Sequence, residues 1–309
     1  MNLATIQMKS SCVECLLERL IDYAGLFPPA SLAMRPALEN YGAYLRSEWN
    51  WILGRFIVSA SRLGEFEDAF STVPAAPGAP PENWRLSVLL GDDRAGDLAS
   101  VGEFNTRMAG SGAGRNAVVE SVEVKVASAD EIARLARSIP PELTAYFEIP
   151  ASSYGECIAA LAGCDRRAKI RTGGETADKF PAPESVIDFI RLCAAARVPF
   201  KATAGLHHPV RSEHRLTYQS DSPSGMMHGF LNVFLAAAFL RGGMEPELAR
   251  ELLTEQSPQA FHFDRDRIAW RQHRLSQSEI AAARQSFAIS FGSCSFTEPV
   301  GDLRSLKLL

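Results

Sequence analysis

Several features that would place this chain in a broad functional class are scarce or missing. The longest apolar run, Phe230 to Leu240, is interrupted by Asn232 and falls far short of the roughly 20 residues a membrane-spanning helix needs. Basic residues form no block, and 32 Lys and Arg against 36 Asp and Glu leave a formal charge of −4, which argues against a nucleic-acid partner. Cysteine is sparse: six thiols, Cys12, Cys15, Cys157, Cys164, Cys193 and Cys294, are scattered along the chain. A chain this long can build its core without disulfides, so they are expected to be reduced. Cys12 and Cys15 form a CxxC, but a zinc site would need a second pair and the sequence has none. The opening residues MNLATIQMKSSCVEC lack a basic stretch leading into an apolar one, so no secretory signal is expected and the cytoplasm is the expected location. Neither a membrane nor nucleic acid is an expected partner, and a homo-oligomer is left open.

What the sequence does contain is alternation. Short stretches rich in Val, Ile and aromatics alternate with longer stretches of helical period, the pattern of a parallel sheet with helical crossovers. The strand candidates are Leu20 to Leu26, Arg55 to Ser61, Arg85 to Gly91, Val119 to Val126, Thr144 to Ile149, Ala168 to Gly173 and Pro199 to Gly205, with a weaker eighth at Ala260 to Asp264. Helices are expected at Ala129 to Ser138, with Ser128 as N-cap, and at Glu184 to Ala196, entered through prolines. The Pro-rich Val73 to Pro81 and the Gly-rich Gly110 to Gly114 read as loops, because the alternation resumes after each. The expected fold is therefore α/β, a (β/α)8 TIM barrel forming a single domain over residues 1–309. The segment 260–271 (FHFDRDRIAWR within it) also reads as a hairpin around Asp264 to Asp266, which would move strand eight elsewhere.

Strand residues two apart share a face. Glu123 and Lys125 lie opposite Val122, Val124 and Val126; Tyr146 and Glu148 oppose Phe147 and Ile149; Lys169 and Arg171 oppose Ile170; Lys201 and Thr203 oppose Phe200 and Ala202. In a barrel the outer faces are covered by helices, so the charged faces must point inward, where charge is costly unless paired or functional. Four cations and two anions then converge, a local surplus of two positive charges that favours a small anionic ligand. Arg171 offers a planar fork for an oxyanion. A lysine crowded by other cations loses proton affinity and becomes a usable amine nucleophile, and Lys169 is best placed for that.

The text KIRTGG (Lys169 to Gly174), followed by PESVIDFIRLCAAARVPFKATAGLHHPVR, resembles the deoxyribose-phosphate aldolase family of class I aldolases over about 43 residues, Lys169 to Arg211. The resemblance lies in a Lys-x-x-Thr-Gly strand and a Phe-Lys strand that follows it. It implies a Schiff-base role for Lys169 and a pKa-lowering role for Lys201, with Glu123 in the role of the family's strand-four aspartate. The chain departs from the family in having Ala204 before Gly205 where two glycines are usual, and in lacking, on the expected eighth strand, the Gly-Ser turn that helps hold phosphate. Gly292 and Ser293 in SFGSCSF are the candidates to replace that turn.

His207 and His208 directly follow strand seven, and adjacent side chains in extended chain point opposite ways, so one of them is expected to face the cavity. It would act as a general acid or base. With Glu148 and Asp22 these histidines also make an alternative ligand set for a divalent metal ion. His228 and Asn232, four apart on a helix expected from about Gly225 to Leu240, are further candidates to line the cavity, and Asp92 and Asp93 to reach its mouth. Three readings follow. One is an aldolase-like lyase acting on a small anionic carbonyl compound, needing no cofactor. In it Lys169, Lys201, Glu148, His207 and His208 are catalytic, and Arg171, Thr203, Lys125, Glu123, Thr172, Asp22 and Tyr146 bind substrate. The second is a metal-dependent lyase or hydrolase using His207, His208 and Glu148. The third is a barrel that binds an anionic metabolite without catalysis.

Overall fold

Eight parallel strands close into a barrel, and the helices between them form an outer layer. The computed structural model describes residues 11–73, 82–109 and 115–309. The expected loops at 74–81 and 110–114 lie outside the described residues. The strands are β1 (Ile21–Tyr23), β2 (Leu53–Ser59), β3 (Glu82–Leu89), β4 (Arg115–Lys125), β5 (Thr144–Glu148), β6 (Arg167–Arg171), β7 (Phe200–Thr203), β8 (Ser212–Arg215), β9 (Ser224–Met227), β10 (Phe261–Phe263), β11 (Arg267–Trp270), β12 (His273–Ser276) and β13 (Ala288–Ser293). The barrel runs β1-β13-β7-β6-β5-β4-β3-β2 and closes on itself, with every neighbouring pair parallel.

Seven expected strands fall on barrel strands. The eighth does not: residues 261–276 form a three-stranded antiparallel sheet, β10-β11-β12, and the barrel closes through β13. The hairpin reading of 260–271 was therefore the correct one. The physical reason for the misplacement lies in how each segment is exposed. FHF alternates because one face of that small sheet is wet, whereas RIAW is an apolar run buried from Ile268 to Trp270. The buried strand AISFGS instead turns small Ser and Gly side chains toward the barrel interior, and its pattern is weak.

The outer layer follows from local rules. Ser128 caps the helix Ala129–Ser138 by accepting from the Glu131 backbone N–H, and Pro183 opens the helix Pro183–Ala196 at a position where its missing N–H costs nothing. The apolar run Phe230–Leu240 is buried on all sides, because its helix, Phe230–Arg241, is enclosed by the helices Pro183–Ala196, Pro246–Thr254 and Gln277–Ser286 and by β13. It starts later than expected, since Gly225 belongs to β9. His228 and Asn232 are spent on fixing this region: His228 Nε2 lies 2.9 Å from the Pro181 carbonyl, and Asn232 accepts from the Arg211 N–H while donating to the Leu252 and Glu255 carbonyls. No helix among the described residues is long and apolar enough to cross a membrane.

The apolar strand faces, including Val122, Val124, Phe147, Ile170, Phe200 and Ala202, are buried in the core. At the β1–β3 side an aromatic cluster joins barrel to helices: Phe56 lies with its ring centroid 5.4 Å from Tyr41, 5.7 Å from Phe66 and 6.4 Å from Trp84. Truncating such a ring leaves a cavity that neighbours in regular elements cannot fill. Phe56→Ala is expected to lower the unfolding free energy by about 3–5 kcal/mol, measured as a shift in the denaturant midpoint.

Candidate active site

A cleft of about 630 Å³ opens at the C-terminal ends of the barrel strands, walled by Leu89, Lys125, Glu148, Arg171, Thr203 and Gly292 among others. These residues end their strands or nearly so, and the C-terminal face is where barrel enzymes assemble active sites from strand ends and loops. Across the mouth from the charged strands, Phe27, Pro28, Pro29, Ile57 and Leu89 supply an apolar wall.

Strand register builds the charged floor. Lys125 pairs with Glu148, Glu148 with Lys169, and Lys169 with Lys201, which sets these side chains at similar heights on adjacent strands. Lys169 Nζ lies 2.8 Å from Glu123 Oε2 and 2.9 Å from Glu148 Oε2. Lys201 Nζ donates to Asp22 Oδ2 at 2.6 Å and to Glu123 Oε1 at 2.7 Å. The carboxylates are held in turn by neighbours that carry no charge. Ser87 Oγ donates to Glu123 at 2.7 Å and receives from Ser121; Ser290 Oγ donates to Asp22 at 2.8 Å, and the Arg55 N–H donates to its other oxygen. A Cβ on Gly54 would stand 2.2 Å from Asp22 Oδ1, so only glycine leaves room for that carboxylate.

Asp22 changes the charge balance. Sorting strand faces placed two anions in the barrel, whereas the network has three, the buried Asp22 and Glu123 and the partly exposed Glu148, against the two ammonium groups of Lys169 and Lys201. Arg171 and Lys125 at the rim restore a surplus of one positive charge, not two. The crowding argument for Lys169 is overturned with it. Burial and Lys201 push its proton affinity down, but Glu123 and Glu148 outweigh them and hold it above the ordinary lysine value. Burial likewise pushes Lys201 down, and Asp22 and Glu123 carry it well above the usual range. Burial pushes the Glu123 carboxyl up, yet Lys169 and Lys201 bring it far below the usual carboxylate range; Glu148 is lowered in the same way, mainly by Lys169. At rest Lys169 is an ammonium with a carboxylate on either side.

The other expected site residues divide between wall and scaffold. Thr203 and His207 line the cleft. Arg171 also lines it, half-exposed, with its Nε 3.6 Å from Glu148. Asp22, Tyr146 and Thr172, expected to bind substrate, stand behind the wall. Asp22 is fully buried against Lys201; the Tyr146 ring lies 5.3 Å from Lys201 Nζ; the Thr172 hydroxyl donates to the Ala204 carbonyl at 2.7 Å and so ties the end of β6 to the turn after β7. In that turn Gly205 takes φ +73°, and a Cβ there would lie 2.7 Å from the Gly173 Cα. Ala204, where the aldolases have glycine, adopts a positive φ of 63°. The Gly-Ser pair absent from the expected eighth strand is present on the real one, since Gly292 and Ser293 end β13 and Gly292 faces the cleft.

The two histidines part as adjacent residues should. His207 lines the cleft with Nδ1 3.0 Å from Glu298 Oε2. His208 does not line it: its Nδ1 lies 2.7 Å from Asp302 Oδ2 and its ring stacks on His214 at 3.3 Å between centroids. His207, His208 and Glu148 therefore do not converge, and among the described residues no three His, Cys, Asp or Glu side chains are grouped to hold a metal ion. Sequence reasoning missed Ser87, Ser290 and Glu298. Ser87 interrupts the apolar end of its strand, between Leu86 and Val88, which was a usable signal, while Ser290 was hidden by the misplaced eighth strand and nothing local marks Glu298.

Compared with known proteins, the chain matches no family model and no curated sequence. The site must be read from its own geometry.

Two outcomes follow from the network. Lys201→Met strands Asp22 and takes from Glu123 one of its two ammonium partners, and is expected to destabilise the fold by about 3–5 kcal/mol in equilibrium unfolding. Arg171→Met, removing a half-exposed ion pair, should cost less than about 1 kcal/mol. The depressed Glu123 and Glu148 contribute stability that is full above about pH 4.3 and is lost as pH falls through their folded values. The raised Lys169 and Lys201 contribute stability that is full below about pH 10.4 and is lost as pH rises through theirs. Unfolding midpoints across pH should therefore form a plateau with two falling limbs, and Glu123→Gln should flatten the acid limb.

Proposed function

We propose that the protein is an aldolase-like lyase that makes or breaks a carbon–carbon bond in a small anionic carbonyl compound through an imine on Lys169. The observation that carries this reading is the Lys169 amine 2.9 Å from the Glu148 carboxylate, both in the wall of one cleft. A buried ammonium is no nucleophile, but here its proton has an acceptor in contact. As a carbonyl compound displaces water, Lys169 passes a proton to Glu148 and its lone pair adds to the carbonyl carbon. The carbonyl oxygen takes protons and leaves as water. In the iminium a base takes the proton of the hydroxyl on the departing carbon, which leaves as a carbonyl fragment; the C–C bonding pair becomes the enamine double bond as the C=N pair moves onto nitrogen, and the reverse sequence forms the bond. Lys201 stays charged and fixes Glu123, which in turn positions Lys169. Arg171 suits the substrate's anionic group, with Lys125 and Thr203 beside it, and His207 is the acid or base on the far side of the cleft.

Fold-level kinship alone would not assign a reaction, and the resemblance at β6 and β7 adds weight only because it falls on Lys169 in the cleft wall and on Lys201 in the ion-pair network behind it.

Borohydride reduction in the presence of pyruvate or acetaldehyde, followed by peptide mapping, tests this. The expected result is an adduct on Lys169 that Lys169→Met abolishes. Glu148→Gln removes one of the anions that raise Lys169, so its trapping should reach half-maximum at lower pH than in the parent protein. Its maximal rate should fall about 10²-fold for want of the proton acceptor. No adduct with either carbonyl, or an adduct on another lysine, overturns the proposal; ligand-dependent stabilisation without an adduct would mark a binding protein instead.

A further inference from the structure

The strap between β7 and the helix Phe230–Arg241 is an antiparallel pair, β8 and β9, and it carries Tyr218 across the barrel mouth. The Tyr218 hydroxyl donates to Glu298 Oε2 at 3.2 Å and lies 3.5 Å from Cys294 Sγ. The same Glu298 oxygen is 3.0 Å from His207 Nδ1. Three elements thus meet on one carboxylate: the turn after β7, the strap, and the first turn of the helix Thr297–Ser305. An acid in a first turn serves the helix dipole wherever it points. That role does not call for a histidine and a tyrosine on one of its oxygens.

Burial pushes Glu298 up, but His207, His208 and Tyr218 bring it below the ordinary carboxylate value, so it is an acceptor. The bond therefore places a proton on His207 Nδ1. His207 lines the cleft, and with Nδ1 engaged its Nε2 is the ring nitrogen left for a ligand. The groups facing this pair are His208, whose Nε2 is 3.9 Å from Glu298 Oε1, together with Tyr218 and Cys294.

We infer that Glu298 is a positioning residue: with Tyr218 it holds His207 in the tautomer whose Nε2 moves the proton at the substrate carbon in the imine reaction. The inference rests on the proposed imine at Lys169. In the proton step, Nε2 takes a proton from the carbon next to the iminium, the C–H pair becomes the enamine double bond, and the C=N pair moves onto nitrogen. Return of a solvent proton from Nε2 reverses it. Carbon-bound hydrogen is thereby exchanged with water at no net oxidation or reduction.

The step can be separated from imine formation. Pyruvate in heavy water, followed by NMR of its methyl group, reads proton transfer, and borohydride trapping on Lys169 reads the imine. Glu298→Gln is expected to trap pyruvate within about 2-fold of the parent rate while losing about 10²-fold in exchange. His207→Gln should lose a similar factor, and the double variant no more than either alone, because the two act as one unit. Tyr218→Phe should lose less than 10-fold. Parent-like exchange in Glu298→Gln overturns the inference and leaves the lyase proposal standing. So does equal loss of trapping and exchange, which would mark a structural role. Failure of the parent protein to trap either pyruvate or acetaldehyde would sink both; if acetaldehyde alone is trapped, exchange is read on its methyl group with the same expected losses.

Discussion

The structure depends on one constraint: five charged side chains, Asp22, Glu123, Glu148, Lys169 and Lys201, occupy the top of a barrel that water barely enters. Isolated charges there would cost far more than the fold can supply. They persist because each ammonium touches two carboxylates and most remaining oxygens find a hydroxyl or backbone N–H. Each contact demands that its strand hold register, so β1, β4, β5, β6 and β7 are locked together by the same atoms that form the site. Stability and chemistry draw on a single set of bonds.

That arrangement also decides the resting state. Carboxylates in contact keep Lys169 protonated, so it is not a poised free amine. In the proposed imine reaction, Lys169 reacts only once a ligand excludes water and Glu148 takes its proton. Lys201, between Asp22 and Glu123 and out of the cleft wall, anchors the network. The two lysines on adjacent strands thus differ in which carboxylates each one reaches, Glu148 for Lys169 and Asp22 for Lys201, with Glu123 shared.

At the mouth, the fold separates neighbours that the sequence presents as equals. His207 turns to the cleft and to Glu298, and His208 to Asp302 and His214. The helix after β13 receives both through Glu298 and Asp302, one turn apart on it. This ties the last barrel helix to the turn after β7 and to the strap.

Much of this was legible in the sequence. Period-two alternation put Glu123, Lys125, Glu148, Lys169, Arg171 and Lys201 on one side of their strands, and seven strands with helices between them pointed to a parallel barrel, because both patterns are local consequences of backbone geometry. The rest required closure. Asp22 and Lys201 are 179 positions apart, and Ser290 and Asp22 268, so no window along the chain shows that they meet. The eighth strand was hidden because a buried strand with small inward residues has little pattern of its own. The proton state of Lys169 was misjudged for a related reason: counting charges on strand faces gives their sum, whereas proton affinity depends on which charges touch. That is set by register and barrel closure, and only the tertiary structure decides it.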